Sequence, residues 1–213
     1  MKRASKGQQR KSLVPGAIPP RHKAVHGLRI IGGKFKGRRI AYNGFVTVRP
    51  MRDIVREALF AHLAERVEGK HVYDLFAGTG ALGLEALSRG AARVTFVERH
   101  YPTLETLRQN VASLGVENQC EIVFGDCFVW GRRLQAPVDD TPWLVFVCPP
   151  YAYFHSQPLA MRELLARLLE LAPTGSIVVA EADNHFRGEA LPENFTWHKR
   201  DYGQTVLWIA TKE

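Results

Sequence analysis

The segment from residue 71 to residue 99 constrains the fold most, because it combines a strand, a glycine-rich turn, a helix and a second strand. Its sequence is HVYDLFAGTGALGLEALSRGAARVTFVER. Val72 to Phe76 form a short apolar run typical of a strand, and Ala81 to Arg89 carry apolar residues at helical spacing. Val94 to Val97 predict the next strand, which ends at Glu98. This order predicts a βαβ unit and therefore an α/β fold with a parallel sheet.

The turn in this unit has the features of a nucleotide-cofactor site. Gly78 and Gly80 permit a tight turn at the start of a helix, where unpaired N–H groups attract a negatively charged or carboxylate-bearing ligand. Glu98, at the tip of the second strand, is suitably placed to bind the two hydroxyls of a ribose. The residues predicted to bind the cofactor from these two strand ends are Asp74, Phe76, Gly78, Gly80, Glu98 and Arg99.

A third strand, Glu121 to Phe124, precedes two further candidates, Asp126 and Cys127. The carboxylate of Asp126 can accept from an adenine amino group, or it can cap the helix that follows. Both interpretations are open from the sequence.

The glycine spacing alone does not identify the cofactor. Gly78, Gly80 and Gly83 satisfy G-x-G-x-x-G, with an acid about 20 residues downstream, which is also the pattern of nicotinamide-dependent oxidoreductases. Asp74 favours S-adenosylmethionine, because a carboxylate at the mouth of the strand would repel a pyrophosphate. The same carboxylate is well placed for the ammonium and sulfonium side of S-adenosylmethionine.

A second chemical motif follows the apolar strand predicted for Trp143 to Val147. It reads Cys148-Pro149-Pro150-Tyr151. The prolines cannot donate to a sheet and they fix φ, so they end the strand and hold the Pro149 carbonyl outward at the carboxyl edge. Open α/β sheets bind ligands at that edge. Tyr151 offers a ring on which an extruded base can stack, so these four residues are the candidate catalytic group.

With these motifs the chain resembles amino-directed N-methyltransferases, which have a D/N/S-P-P-Y/F/W motif after the fourth strand, and more narrowly the RsmD family. The resemblance covers roughly residues 28 to 208. Its segments are LRIIGGKFKGRRI, VRPMRDIVREALF, DLFAGTGALGLEALSRGA and RDYGQTVL, beginning at Leu28, Val48, Asp74 and Arg200. The resemblance implies S-adenosylmethionine-dependent methylation of the exocyclic N2 of a guanine in small-subunit (16S) rRNA, without a metal.

The resemblance also implies a class I methyltransferase fold, with a seven-stranded, mostly parallel sheet that ends in an antiparallel hairpin. Ser176 to Ala180 predict a buried strand of this sheet. Phe195 to Tyr202 and Thr205 to Thr211 alternate around Gly203 and predict that hairpin. An N-terminal hairpin is predicted within Leu28 to Ala41, and a helix from about Met51 to Arg66. We therefore expect an arm over 1–27, an RNA-binding extension over 28–66 and a methyltransferase domain over 67–213.

Two positions depart from the family pattern. The family has threonines after its Arg-Pro, where this chain has Met51 and Arg52, and it has Asp at the first position of the Pro-Pro motif, where this chain has Cys148. A neutral thiol is a weak acceptor, and an apolar environment raises its pKa. We therefore expect a slower enzyme. A non-catalytic RNA-binding or ribosome-assembly relative, a DNA methyltransferase and a nicotinamide-dependent oxidoreductase are the alternatives.

Charge is distributed unevenly along the chain. Residues 1–52 hold 14 of the 29 Lys and Arg residues and none of the 21 acids, so the N-terminal quarter is predicted to bind phosphates. The candidate RNA contacts are Arg29, Lys34, Lys36, Arg38, Arg39, Arg49, Arg52 and Arg56. The partner expected is rRNA or a small-subunit assembly particle. The three cysteines lack C-x-x-C spacing, which favours a reducing cytoplasm, and we expect a monomer without a metal site or a membrane span.

Overall fold

A computed structural model describes residues 25–44 and 50–213 of the 213-residue chain. A seven-stranded sheet lies at its centre, with the strand order β5-β4-β3-β6-β7-β9-β8. The strands are β3 (His71–Asp74), β4 (Arg93–Glu98), β5 (Cys120–Phe124), β6 (Trp143–Val147), β7 (Ile177–Asp183), β8 (His198–Tyr202) and β9 (Thr205–Thr211). Strands β3 to β7 are parallel, and β9 pairs antiparallel with both β7 and β8. The predicted class I methyltransferase topology is confirmed.

Helices cover both faces of the sheet. One core cluster joins the sheet to the first three helices, α1 (Asp53–Leu63), α2 (Ala81–Ser88) and α3 (Tyr101–Leu114). A second cluster joins the opposite face to α4 (Cys127–Arg133), α5 (Ala152–Ser156) and α6 (Pro158–Leu171). Central strands such as β6 are buried along their whole length, as parallel strands covered on both faces must be.

The predicted elements are present, with shifted boundaries. Strand β3 stops at Asp74 instead of Phe76, because Leu75 and Phe76 lead into the glycine turn. Strand β7 continues beyond Ala180 to Asp183, where its pairing with β9 ends. Helix α1 is shorter than predicted, and a 3-10 turn, Ala64–Val67, follows it. Helix α3 had no counterpart in the prediction.

An N-terminal hairpin packs against α2 and α3. Its strands are β1 (Val25–Arg29) and β2 (Arg39–Tyr42), joined through a 3-10 turn at Gly33–Phe35. Gly33 has φ +72°, and a Cβ there would lie 1.8 Å from the carbonyl oxygen of Ser88, so this close approach requires glycine. The predicted arm over 1–27 lies outside the described residues except for its last three, which begin β1.

Glu85 of α2 anchors the hairpin. Its side chain is fully buried, and its carboxylate accepts from the backbone N–H groups of Ile31 and Gly32 at 2.7 and 2.8 Å. Arg89 donates to the same carboxylate at 2.8 Å. Ile30 and Ile40 of the hairpin segment belong to the same core cluster as α2, so the hairpin is held both by apolar packing and by this buried carboxylate. Within 25–44 and 50–213, no helix combines the length and the apolar character needed to cross a bilayer.

Candidate active site

A cavity of about 650 Å³ opens at the carboxyl edge of the parallel strands. The residues after β3, β4, β5 and β6 line it, together with residues of β7 and β9. This volume lies within the usual range for a small-molecule site, and the carboxyl edge is where open α/β sheets bind ligands. The edge therefore brings the glycine turn and the Cys-Pro-Pro-Tyr motif to one cavity.

The glycine turn and Glu98 form one side of the cavity. Gly78 and Gly80 have φ +54° and +86°, the left-handed region that favours glycine. The Glu98 carboxylate accepts from the N–H of Gly78 at 2.8 Å and from the N–H of His100 at 2.7 Å. These bonds fix the carboxylate at the cavity wall, where its remaining lone pairs can accept from the hydroxyls of a ribose. Phe76 and Gly78 line the cavity, whereas Gly80 does not line it and is the N-cap of α2.

Asp74 lies behind the turn and not on the cavity wall. Its side chain is 1% exposed, and Oδ2 accepts from the N–H of Gly83 at 3.0 Å. Burial raises the pKa of Asp74 to about 7, opposed by the hydrogen bond from Gly83 and reinforced by the charge of Glu98. The direct contact with an ammonium group that the sequence predicted is therefore not available in this structure, because the side chain is turned towards helix α2.

Asp126, Arg99 and Cys127 lie together on the β5 side of the cavity. Asp126 caps α4 by accepting from the N–H groups of Phe128 and Val129 at 2.9 and 3.2 Å. Arg99 Nη1 lies 3.7 Å from Asp126 Oδ2. The guanidinium carbon of Arg99 also lies over the ring of Tyr153, 5.4 Å from the ring centroid. The two interpretations of Asp126 are compatible, since one residue caps the helix and also lines the cavity.

The Cys148 to Tyr151 motif forms the opposite wall, and all four of its residues line the cavity. The Tyr151 hydroxyl lies 2.7 Å from Thr205 Oγ1 and donates to Glu181 Oε1 at 3.1 Å. These bonds hold the ring in one position. Burial raises the pKa of the Cys148 thiol well above its usual value, and the charges of Glu181 and Asp74 raise it further. Position 148 therefore presents a neutral thiol at physiological pH.

Most of the predicted RNA contacts are on the surface. The exposed residues are Arg29, Lys34, Lys36, Arg38, Arg39 and Arg52. Arg52 also lines the cavity and donates to the carbonyl of Tyr202 at 2.8 Å. Arg49 lies outside the described residues.

The prediction for Arg56 is wrong. Its side chain is 1% exposed, and its guanidinium donates to the carbonyl of Arg29 at 2.7 Å and to Asp53 at 3.0 Å. Arg56 therefore ties α1 to the hairpin and does not reach a substrate. Residue type and spacing could not separate this buried arginine from an exposed one.

Glu181 and Thr205 are site residues that the sequence prediction missed. Both line the cavity and both contact Tyr151, although they lie on β7 and β9. A signal for Glu181 was present, because it directly follows the predicted strand Ser176 to Ala180 and so had to lie at the carboxyl edge. No comparable signal marked Thr205.

Comparison with known proteins agrees with this geometry. The family model described as "Conserved hypothetical protein 95" matches residues 28–211. The ribosomal RNA small subunit methyltransferase D of Escherichia coli K12 is 32% identical over 195 residues, which cover 89% of this chain and 91% of that protein. The chain belongs to the RsmD-like family of S-adenosylmethionine-dependent methyltransferases.

Solved structures support the same assignment. The putative methyltransferase yhhF of Escherichia coli superposes with a TM-score of 0.73 at 28% identity, covering 88% of this chain and 98% of that one. An RNA methyltransferase from Salinibacter ruber, in complex with S-adenosyl-L-homocysteine, shares the fold, with a TM-score of 0.55 at 20% identity, covering 77% and 94%. Membership in the RsmD-like family confirms the predicted resemblance and cofactor, and it excludes the oxidoreductase interpretation of the glycine pattern.

Proposed function

We propose that this RsmD-like protein methylates the exocyclic N2 of a guanine in small-subunit (16S) rRNA. One observation carries the proposal: the glycine turn with Glu98 and the Cys-Pro-Pro-Tyr motif with Tyr151 face the same cavity of about 650 Å³. A methyl donor and an extruded base can therefore lie side by side. The name of the Escherichia coli relative, a small-subunit rRNA methyltransferase, supports the choice of substrate.

The chain's own residues bind and orient the two reactants. Glu98 accepts from the ribose hydroxyls of the cofactor, Tyr151 stacks on the base, and the Pro149 carbonyl accepts from one N2–H. Stacking on an aromatic ring contributes about 1–3 kcal/mol, which offsets much of the few kcal/mol that base extrusion costs. When bound, S-adenosylmethionine supplies a sulfonium methyl group: the N2–C bond forms as the C–S bond breaks, its electron pair stays on sulfur, and N2 loses one proton to water.

The exposed cations of the hairpin are the proposed binding surface for the RNA backbone. The hairpin is also linked to the cavity, because Asn43 donates to Thr103 Oγ1 at 3.1 Å and His100 lies 2.7 Å from the same oxygen. His100 and Arg52 line the cavity. RNA held on the hairpin would thus pass the mouth of the cavity, with Arg52 beside the extruded nucleotide.

Methyl transfer from labelled S-adenosylmethionine tests the proposal. Purified full-length protein is incubated with small-subunit rRNA lacking base modifications, free and as an assembly particle, and nucleosides are identified by mass spectrometry. We expect N2-methylguanosine at one position. Methylation of adenine or cytosine, or of DNA in preference to rRNA, would contradict the assignment.

The neutral thiol at position 148 supports a second candidate, a cofactor-binding relative that assists ribosome assembly without catalysis. The Cys148→Asp variant separates the two functions. Transfer by the wild-type protein supports the enzyme. Tight cofactor binding without transfer, together with transfer by Cys148→Asp, supports the assembly factor.

A further inference from the structure

Glu181 is a carboxylate on the base-binding side of the cavity. It lies on β7, and the register that pairs Val147 with Ala180 brings the next residues, Cys148 and Glu181, side by side. Besides burial, the charge of the neighbouring Glu181 carboxylate raises the pKa of the Cys148 thiol. Glu181 is 7% exposed, and its exposed part faces the cavity.

The other carboxylates differ from Glu181 in position. Among the described residues that line the cavity, the acids are Glu98, Asp126 and Glu181. Glu98 is fixed by the N–H groups of Gly78 and His100, and Asp126 caps α4, both on the β4 and β5 side. Glu181 is therefore the acid on the same side as the Pro-Pro-Tyr motif.

The chemistry of a carboxylate matches guanine at this position. The Watson–Crick edge of guanine presents two adjacent donors, N1–H and the N2 amino group, whereas adenine and cytosine present a ring acceptor beside their amino group. An ionised carboxylate only accepts hydrogen bonds, so it matches guanine and repels the ring lone pair of the other two bases. Its charge also stabilises the positive charge that develops on N2 during transfer.

We propose that Glu181 binds the N1–H and N2–H donors of the target guanine and supplies the negative charge that the thiol at position 148 lacks. This role rests on the proposed function. It makes Glu181 a catalytic and specificity-determining residue of the RsmD-like site, and it explains how a site with Cys148 can retain activity.

A purely structural role for Glu181 predicts something different. Glu181 accepts from the Tyr151 hydroxyl, so it could act only by holding that ring. Tyr151→Phe removes this hydrogen bond but keeps the ring and the carboxylate. If Glu181 acts only through Tyr151, then Tyr151→Phe loses as much activity as Glu181→Gln.

Single-turnover methylation of the rRNA position identified by mass spectrometry tests the proposal. We expect Glu181→Gln to slow transfer about 100-fold, the size expected for loss of one preorganised electrostatic contact, with cofactor affinity within about twofold by calorimetry. Tyr151→Phe should slow methyl transfer by no more than about tenfold. Glu121→Gln, which changes an exposed carboxylate of β5, is the matched control and retains the wild-type rate.

Two further measurements distinguish substrate contact from structural support. In the Cys148→Asp background, Glu181→Gln should slow methyl transfer by less than about tenfold, because the new carboxylate at position 148 supplies part of the negative charge. With 2-aminopurine at the target position, which keeps the amino group but has a ring acceptor at N1, the wild-type protein should react at least about 100-fold slower than with guanine. Glu181→Gln should reduce this discrimination to less than about tenfold.

The possible outcomes separate the two proposals. If the wild-type protein is active and Glu181→Gln transfers methyl within about threefold of its rate, the role of Glu181 is overturned and the proposed enzyme stands. Equal losses of rate in Tyr151→Phe and Glu181→Gln have the same meaning. No transfer by the wild-type protein overturns both. If Glu181→Gln fails to unfold cooperatively, discrimination against 2-aminopurine by the wild-type protein decides alone, and its absence refutes the proposal.

Discussion

Replacing Asp74 by Asn should change how the stability of the protein depends on pH. Asp74 is 1% exposed, and burial raises its pKa to about 7 from an ordinary value of 3.8. Asn has nearly the same shape, keeps an oxygen that can accept from the N–H of Gly83, and carries no charge at any pH. The substitution therefore removes the cost of burying a carboxylate and leaves the rest of the turn in place.

The sign follows from proton binding in the two states. Between pH 3.8 and about 7 the folded protein keeps the Asp74 proton that the unfolded chain has lost, so the stability contributed by this group falls as pH rises. Below pH 3.8 both states are protonated and the group has no effect. Above about pH 7 the full cost is present, at most about 4 kcal/mol, since each pKa unit corresponds to about 1.4 kcal/mol.

Urea unfolding at pH 5 and pH 8 measures the effect. The stability of Asp74→Asn relative to wild type should increase by about 2–3 kcal/mol from pH 5 to pH 8. This change with pH is independent of any constant effect of the amide. Asp140→Asn, at an exposed aspartate, is the control and should show no such increase. A pH dependence in Asp74→Asn equal to that of wild type would refute the reasoning.

Two further predictions concern the hairpin. Glu85→Gln should lower the free energy of unfolding by about 2–4 kcal/mol in urea titrations. The substitution neutralises a buried carboxylate that accepts from two backbone N–H groups and pairs with Arg89. A loss below about 0.5 kcal/mol would contradict the anchoring role. Arg38→Ala combined with Arg39→Ala should weaken rRNA binding and reduce the salt slope by about 1–2, with unchanged cofactor affinity. The control pair Arg132→Ala and Arg133→Ala, exposed on α4 across the sheet, should leave RNA binding unchanged, and an equal loss in both pairs would show that the hairpin is not the RNA surface.

The parts of the site that could be predicted depend on local sequence. Alternating apolar runs, the glycine turn and the two prolines each restrict the backbone within a few residues, so the pattern of residues is enough to assign Gly78, Glu98 and Tyr151 to strand ends. Because the carboxyl ends of parallel strands meet at one edge, these assignments also placed the residues around a common ligand.

The positions of Asp74 and Arg56 show where local patterns are insufficient. Both are ionisable residues in or next to predicted functional segments, yet both are buried. Asp74 accepts from the N–H of Gly83, and Arg56 donates to the carbonyl of Arg29 and to Asp53. A side chain's direction depends on which neighbour offers a hydrogen bond inside the fold. Periodicity gives the face of an element, and it does not give that neighbour.

Sequence alone determined the βαβ unit and the residues at the ends of β3, β4 and β6, because each is encoded by contacts within a short stretch of chain. The methyltransferase topology was predicted only through the family resemblance. Tertiary structure alone decided that Glu181 and Thr205, 30 and 54 residues after Tyr151, contact its hydroxyl. That contact follows from the order β6-β7-β9 in the sheet. Because β9 runs antiparallel to β7, Thr205 at the start of β9 pairs with Asp183 at the carboxyl end of β7. Strand order is set by the packing of the whole core, and no local pattern encodes it.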